Sequence, residues 1–193
     1  MNALLPTSRL LIEPPMPLAA AIAWTTLEER QRAETFGSER RRREFLTWRA
    51  IIRRELGRNI RIAYDEVGAP ILPDGEACVS VAHCADRVAV CLSPNRCAVD
   101  IEPADRDFTR AANRFLTPSE AALTDDPHWP GFVWCAKETL YKYAGRRNLD
   151  FRKDLRIESA HLAAGRIIGR IGDELPLELA ARCIDGCLVT AIL

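Results

Sequence analysis

Two short stretches of this sequence carry residues whose types and spacing can do chemistry together. The first is Ala98-Val99-Asp100-Ile101-Glu102, where apolar residues alternate with acids. Read as a strand, it places Asp100 and Glu102 on one face, two residues apart. The second is Trp134-Cys135-Ala136-Lys137-Glu138-Thr139-Leu140-Tyr141-Lys142. Read as a helix, it sets Trp134, Glu138 and Lys142 on a common face at i, i+4 and i+8, so a third carboxylate stands one turn before an ammonium. Three converging acids suit a hard divalent cation such as Mg²⁺, which takes oxygen ligands and is commonly held by a few carboxylates plus substrate phosphates. The lysine would then face a phosphate. The plainer alternative is a solvated strand edge and an ordinary surface pair between Glu138 and Lys142, worth about 0.2–0.5 kcal/mol. Against it stand Val99 and Ile101 on the strand's other face and Trp134 beside the helical acid, which bring both acidic faces close to apolar, partly buried surface.

These stretches resemble the bipartite signature of the 4'-phosphopantetheinyl transferases, small-hydrophobic-Asp-x-Glu followed by Trp-x-x-Lys-Glu-x-x-x-Lys. The likeness is to the larger, surfactin-synthetase-activating type, in which one chain holds two similar halves, rather than to the short trimeric type. It implies an α+β fold, a pseudo-dimer of two similar α/β lobes, with coenzyme A in the cleft between them. Residues 1–94 would form the lobe that grips the coenzyme, and residues 95–193 the lobe that carries the signature. The resemblance further implies Mg²⁺ on Asp100, Glu102 and Glu138, with Glu138 and Lys142 as the catalytic pair. The reaction would move 4'-phosphopantetheine from coenzyme A to a serine of an apo acyl or peptidyl carrier protein, releasing adenosine 3',5'-bisphosphate. Arg40 matches a basic residue that grips the coenzyme 3'-phosphate, and His83 a histidine in contact with phosphate. Gly68-Ala69-Pro70 resembles a Gly-Lys-Pro turn beside the coenzyme, so Gly68 and Pro70 join the coenzyme-binding set. Lys142 would face the coenzyme phosphates, and Lys137 is assigned to coenzyme or wall contacts. Four positions depart from the family pattern: Ala98 replaces a glycine, Ala69 a lysine, and Ala82 and Cys84 the serines that flank the histidine.

The elements that must position these residues can be read in order. Arg9 to Glu13 and Ala20 to Trp24 read as short strands on either side of a proline-rich break. A polar helix is expected from Thr25 or Thr26, with Glu28 and Glu29 favouring its N-terminal dipole. Ser38 caps the next helix, whose apolar positions Phe45, Trp48, Ile52 and Leu56 recur at helical intervals until Gly57. Nine arginines lie between Arg40 and Arg61, most of them expected on a solvated face because glutamates are interleaved; Arg49 and Arg53 match recurring family arginines. Ile60 to Tyr64, Ala77 to Ala82 and Arg87 to Leu92 read as strands, with His83 in the turn between the last two. Ser93-Pro94-Asn95 is the expected hinge. A helix is expected through Ala111 to Phe115, with Arg106, Arg110 and Arg114 as a basic stripe or a solvated face. Thr117-Pro118-Ser119-Glu120 supplies an N-cap, a proline at N1 and a capping-box acid. The signature helix spans Trp129 to Ala144, and Asp154 to Ala160, Arg166 to Ile171, Leu175 to Ile184 and Leu188 to Leu193 read as strands. Asp185-Gly186 is a hairpin turn between the last two.

Composition narrows the function classes. With 193 residues of which 48% are hydrophobic, the chain can bury a substantial core. Its formal net charge of zero argues against a dedicated nucleic-acid binder. No apolar run approaches the roughly 18 residues that span a bilayer, and the first residues lack the continuous apolar stretch of a secretory signal. A cytoplasmic monomer with no membrane or nucleic-acid partner is the expectation. Of seven cysteines, none in a Cys-x-x-Cys pair, most lie in apolar strand-like runs and read as small buried hydrophobes, with Cys84 set apart by its place after His83. Two rival classes remain: a non-catalytic coenzyme A or nucleotide-binding module, which needs the arginines and His83 but not three acids, and a basic-helix nucleic-acid binder.

Overall fold

The computed structural model describes residues 7–75, 77–84 and 86–193 and is α+β, with helices packed on antiparallel sheets. Ala85 of the expected His83 turn lies outside the described residues. The chain divides into two compact units, Met1–Arg96 and Cys97–Leu193.

The first unit runs β1 (Arg9–Glu13), α1 (Leu18–Ile22), α2 (Leu27–Glu34), α3 (Glu39–Leu56), β2 (Ala63–Tyr64), β3 (Pro70–Ile71), β4 (Cys78–His83) and β5 (Val88–Ser93). The strand order is β1-β5-β4, antiparallel, with β5 buried along its whole length. Ser38 caps α3 through its side chain, which accepts from Arg41 N at 3.2 Å, and Gly57 ends the helix at φ 121°. The apolar stripe of α3 then buries Trp48, Ile51 and Ile52 against Val88, Val90 and Leu92 of β5. Ala20 to Trp24 departs from the strand expectation: Leu18–Ile22 is a helix that begins after Pro17. An apolar run of this length does not distinguish strand from helix, and three consecutive alanines tip it. Ala21 is completely buried and packs with Ala33, Leu46 and Ala50. The strand expected from Ile60 shortens to Ala63–Tyr64 because Arg53 Nε donates to the Ile60 carbonyl at 3.1 Å, taking the acceptor a ladder would use.

The second unit runs β6 (Ala98–Pro103), a 3₁₀ turn at Thr109–Ala111, α4 (Ala112–Phe115), α5 (Pro118–Ala121), α6 (Trp129–Ala144), β7 (Leu155–His161), a 3₁₀ turn at Leu162–Ala164, β8 (Arg166–Ile171), β9 (Leu177–Ile184) and β10 (Cys187–Ile192). Its five strands are antiparallel in the order β6-β10-β9-β8-β7. Asp185 and Gly186 turn β9 into β10 with φ of 48° and 73°, the left-handed pair a tight hairpin requires. Helix α6 packs its apolar face, including Phe132, Val133, Ala136 and Leu140, onto the sheet, and Gly145 ends it at φ 60°. The approach is close at Gly131, where a Cβ would stand 2.4 Å from Leu188 Cδ1 and 2.9 Å from Phe108 Cε2. The arginine stripe does not form on one helix, since Arg106 precedes the 3₁₀ turn and only Arg114 lies in α4.

Candidate active site

The packing of α6 on β6 brings the two chemical stretches together. Asp100 and Glu102 occupy alternate positions of β6, opposite Thr190 and Leu188 of β10, and so share a face. Asp100 is 7% exposed. Its Oδ1 accepts from Lys142 Nζ at 2.7 Å, and the same ammonium donates to the Val99 carbonyl at 3.0 Å. Asp100 Oδ2 is buried and accepts no hydrogen bond. Glu102 Oε1 accepts from the Trp134 indole at 2.8 Å and from Arg106 Nη1 at 2.5 Å. Trp134, Glu138 and Lys142, at successive turns of α6, therefore lie over the acidic face of β6 as helical spacing requires.

Electrostatics couple the three acids. Burial first, then the Asp100 charge, lift the Glu138 carboxyl from its ordinary 4.5 to about 7; Lys142 opposes this and Glu102 adds to it. Burial likewise raises Asp100, against the charge and hydrogen bond of Lys142. Cys135, fully buried on the next position of α6, has its thiol pushed well up by burial and by the Asp100 and Glu102 charges, while its Sγ donates to Leu188 O at 3.6 Å. None of the seven cysteines forms a disulfide among the described residues.

No three His, Cys, Asp or Glu side chains among the described residues stand close enough to form a ready-made metal cluster. The donor chemistry nevertheless fits Mg²⁺. All three groups are carboxylates, one buried oxygen of Asp100 has no donor, and the Asp100 and Glu102 charges, which add to burial in lifting Glu138, make a field that a divalent cation relieves. Lys142 now supplies part of that compensation through its pair with Asp100.

Of the two roles expected of Lys137, coenzyme or wall contacts, its surroundings match the second. Its ammonium is completely buried and donates to Phe115 O at 2.6 Å, Phe151 O at 2.7 Å and Glu120 Oε2 at 2.9 Å. Its pKa is lowered, chiefly by burial and against the attraction of Glu120. A side chain with these three acceptors braces the unit from inside and is not presented to a coenzyme. Glu120, in turn, accepts from Ile157 N at 2.9 Å and closes the capping box of α5 with Thr117.

In the first unit, Arg40 and His83 meet at one buried acid that sequence reasoning passed over. Glu44 is 1% exposed. Its Oε1 lies 3.2 Å from Arg40 Nε, and its Oε2 lies 3.4 Å from Arg41 Nη1 and 3.5 Å from His83 Nδ1. Arg41 Nη1 also lies 2.5 Å from His83 Nε2. The i, i+4 spacing of Arg40 and Glu44 was a readable signal; the approach of His83 from β4 was not. Gly68 and Pro70 lie in the β2–β3 hairpin, where Asp65 Oδ1 accepts from Val67 N at 3.0 Å and from Ala69 N at 2.8 Å, and Gly68 takes φ 89°. Five of the nine arginines of this region, Arg40, Arg41, Arg54, Arg58 and Arg61, are exposed as a solvated face requires, whereas Arg49 and Arg53 are buried. Arg49 is buried with its guanidinium carbon 3.4 Å from the Phe45 ring centre, and Arg53 clamps Glu29 at 2.7 Å and 2.9 Å.

The family model of the 4'-phosphopantetheinyl transferase superfamily matches residues 96–186. That span opens just before β6, closes in the β9–β10 turn, and contains Asp100, Glu102, Glu138 and Lys142. No curated protein matches the chain. No described helix is long and apolar enough to cross a membrane.

Proposed function

We propose that this protein is a 4'-phosphopantetheinyl transferase of the two-lobed, single-chain type, acting on coenzyme A and a serine of an apo acyl or peptidyl carrier protein. The observation that carries the reading is the acidic face of β6 under α6, with a carboxyl tuned to about 7 at Glu138 and an ammonium at Lys142, inside the span matched by the superfamily.

In this reading, the serine hydroxyl attacks the phosphorus of the coenzyme pyrophosphate that carries the pantetheine arm. A new phosphoester bond forms, the bridging P–O bond breaks, and adenosine 3',5'-bisphosphate leaves with the electron pair. Glu138 takes the serine proton, a role suited to a group that is about half ionised near neutral pH. Lys142 offsets the charge that develops on the phosphates, which requires its ammonium to share Asp100 with the substrate. Asp100, Glu102 and Glu138 would hold Mg²⁺, which when bound supplies positive charge to the pyrophosphate. Arg40 is assigned to the 3'-phosphate, His83 to a phosphate of the coenzyme and the Gly68–Pro70 hairpin to the coenzyme, with Ala69 lacking the cation that the family carries there.

A non-catalytic coenzyme-binding module is the second reading, favoured by the Lys142–Asp100 pair, which already compensates one acid. Incubation with Mg²⁺, coenzyme A and a panel of apo carriers, read by intact mass, separates the two. One added phosphopantetheine on a single serine, lost in EDTA, supports the transferase. Coenzyme binding that is independent of Mg²⁺, with no carrier modified, supports the module.

A further inference from the structure

Trp134 and Lys137 belong to the signature, yet the chemistry proposed above uses neither. They sit one turn apart on α6, and the structure links them through two phenylalanines. The Lys137 ammonium holds the backbone carbonyls of Phe115 and Phe151 at 2.6 Å and 2.7 Å. The rings of those two residues enclose Trp134: Phe115 meets it edge-on at 5.2 Å between centres, and Phe151 lies tilted by 33° at 5.5 Å. Tyr141 supports Phe151 at 5.8 Å. The Trp134 indole N–H, so aimed, donates to Glu102 Oε1 at 2.8 Å, and the Arg106 guanidinium on the same oxygen lies 5.7 Å from the Trp134 ring centre.

We propose that Lys137, Phe115 and Phe151 form a brace whose purpose is to orient Trp134, and that Trp134 is the positioning residue that fixes the Glu102 carboxylate for a divalent cation. The metal part rests on the transferase reading; the brace and the indole contact do not. The physical case is one of rigidity. Glu102 stands near the end of β6 with its side chain 16% exposed and its carboxylate reached by Arg106, so its rotamer is not set by packing alone. A neutral N–H from a ring locked between two others selects one orientation without adding a competing charge. Arg106 alone, with a 45% exposed side chain, is a looser anchor. Outer partners of this kind commonly govern metal affinity by about 10- to 100-fold.

The test combines indole ¹⁵N–¹H spectra with calorimetry on the full chain. The Trp134 signal is identified by its loss in Trp134→Phe, which keeps a ring in the slot and removes only the donor. Glu102→Gln and Phe151→Leu should each move that signal in the absence of metal and coenzyme. Trp134→Phe should leave coenzyme A affinity in EDTA within about twofold of wild type while weakening Mg²⁺ binding to the coenzyme-loaded protein by about 10- to 100-fold. Turnover should fall with the coenzyme KM unchanged. Lys137→Met should move the Trp134 signal as well; because it also strands Glu120, Phe151→Leu carries the argument if that variant does not fold. An unmoved indole signal in both Glu102→Gln and Phe151→Leu overturns the proposal whether or not the protein is a transferase. Unchanged Mg²⁺ affinity in Trp134→Phe overturns the positioning role, and a selective loss of coenzyme affinity in that variant would make Trp134 a coenzyme contact instead.

Discussion

Replacing Glu138 by glutamine should stabilise the metal-free protein at alkaline pH while destroying its proposed activity. The carboxyl rises from 4.5 to about 7 on folding, mainly through burial and the Asp100 charge. A carboxyl with a raised folded value favours the folded state while protonated. Its contribution is fully present below about 4.5 and is lost as pH rises through about 7. At about 1.4 kcal/mol for each tenfold change in proton affinity, the charged form costs about 3 kcal/mol at pH 8. Glu138 is only partly buried, and solvent screening reduces that figure to about 1–3 kcal/mol. Glutamine mimics the protonated carboxyl in shape, so the variant and wild type should have equal stability near pH 4 and diverge as pH rises. Urea unfolding of both proteins in EDTA, from pH 4 to 8, measures the difference with all other titrating groups common to the pair. Added Mg²⁺ should recover stability for wild type and not for the variant. A flat difference across this range, or a variant less stable at pH 8, would refute the crowding of Glu138 by Asp100 and Glu102.

Other perturbations follow from the same geometry. Asp100→Asn should abolish transfer while keeping the fold, because the amide retains an acceptor for Lys142 and loses the charge; Mg²⁺-dependent turnover near wild type would remove Asp100 from the metal set. Arg40→Ala should weaken coenzyme A about tenfold or more, and dephospho-coenzyme A much less, since only the former carries the 3'-phosphate; equal losses by calorimetry would reassign Arg40 to its pair with Glu44. Gly131→Ala forces a methyl against Leu188 and Phe108 and should cost about 1–3 kcal/mol of stability in urea; an unchanged midpoint would mean α6 can lift from the sheet there.

The elements legible in the sequence are those fixed by local chemistry. Ser38 and Gly57 bound α3, Thr117 and Glu120 close the box of α5, and Asp185-Gly186 turns β9 into β10, each through backbone preferences confined to a few residues. The alternation of Asp100 and Glu102 and the turn spacing of Trp134, Glu138 and Lys142 were readable for the same reason. What escaped depends on partners distant in sequence. Nothing near Lys137 announces that its charge is neutralised by Glu120 and two carbonyls, and nothing near Glu44 announces His83. The alanine run of α1 failed differently, because a short apolar stretch satisfies both periods and only helix propensity separates them.

The central claim is that β6 and α6 together perform phosphopantetheine transfer. Its most direct measurement is intact mass of a modified apo carrier, run side by side for wild type, Glu138→Gln and Lys142→Ala, each shown to be folded by circular dichroism. Wild type should add one phosphopantetheine to one serine and release an equal amount of adenosine 3',5'-bisphosphate, with both variants slower by about 100-fold or more. Carrier modification by both variants at the wild-type rate would contradict the account.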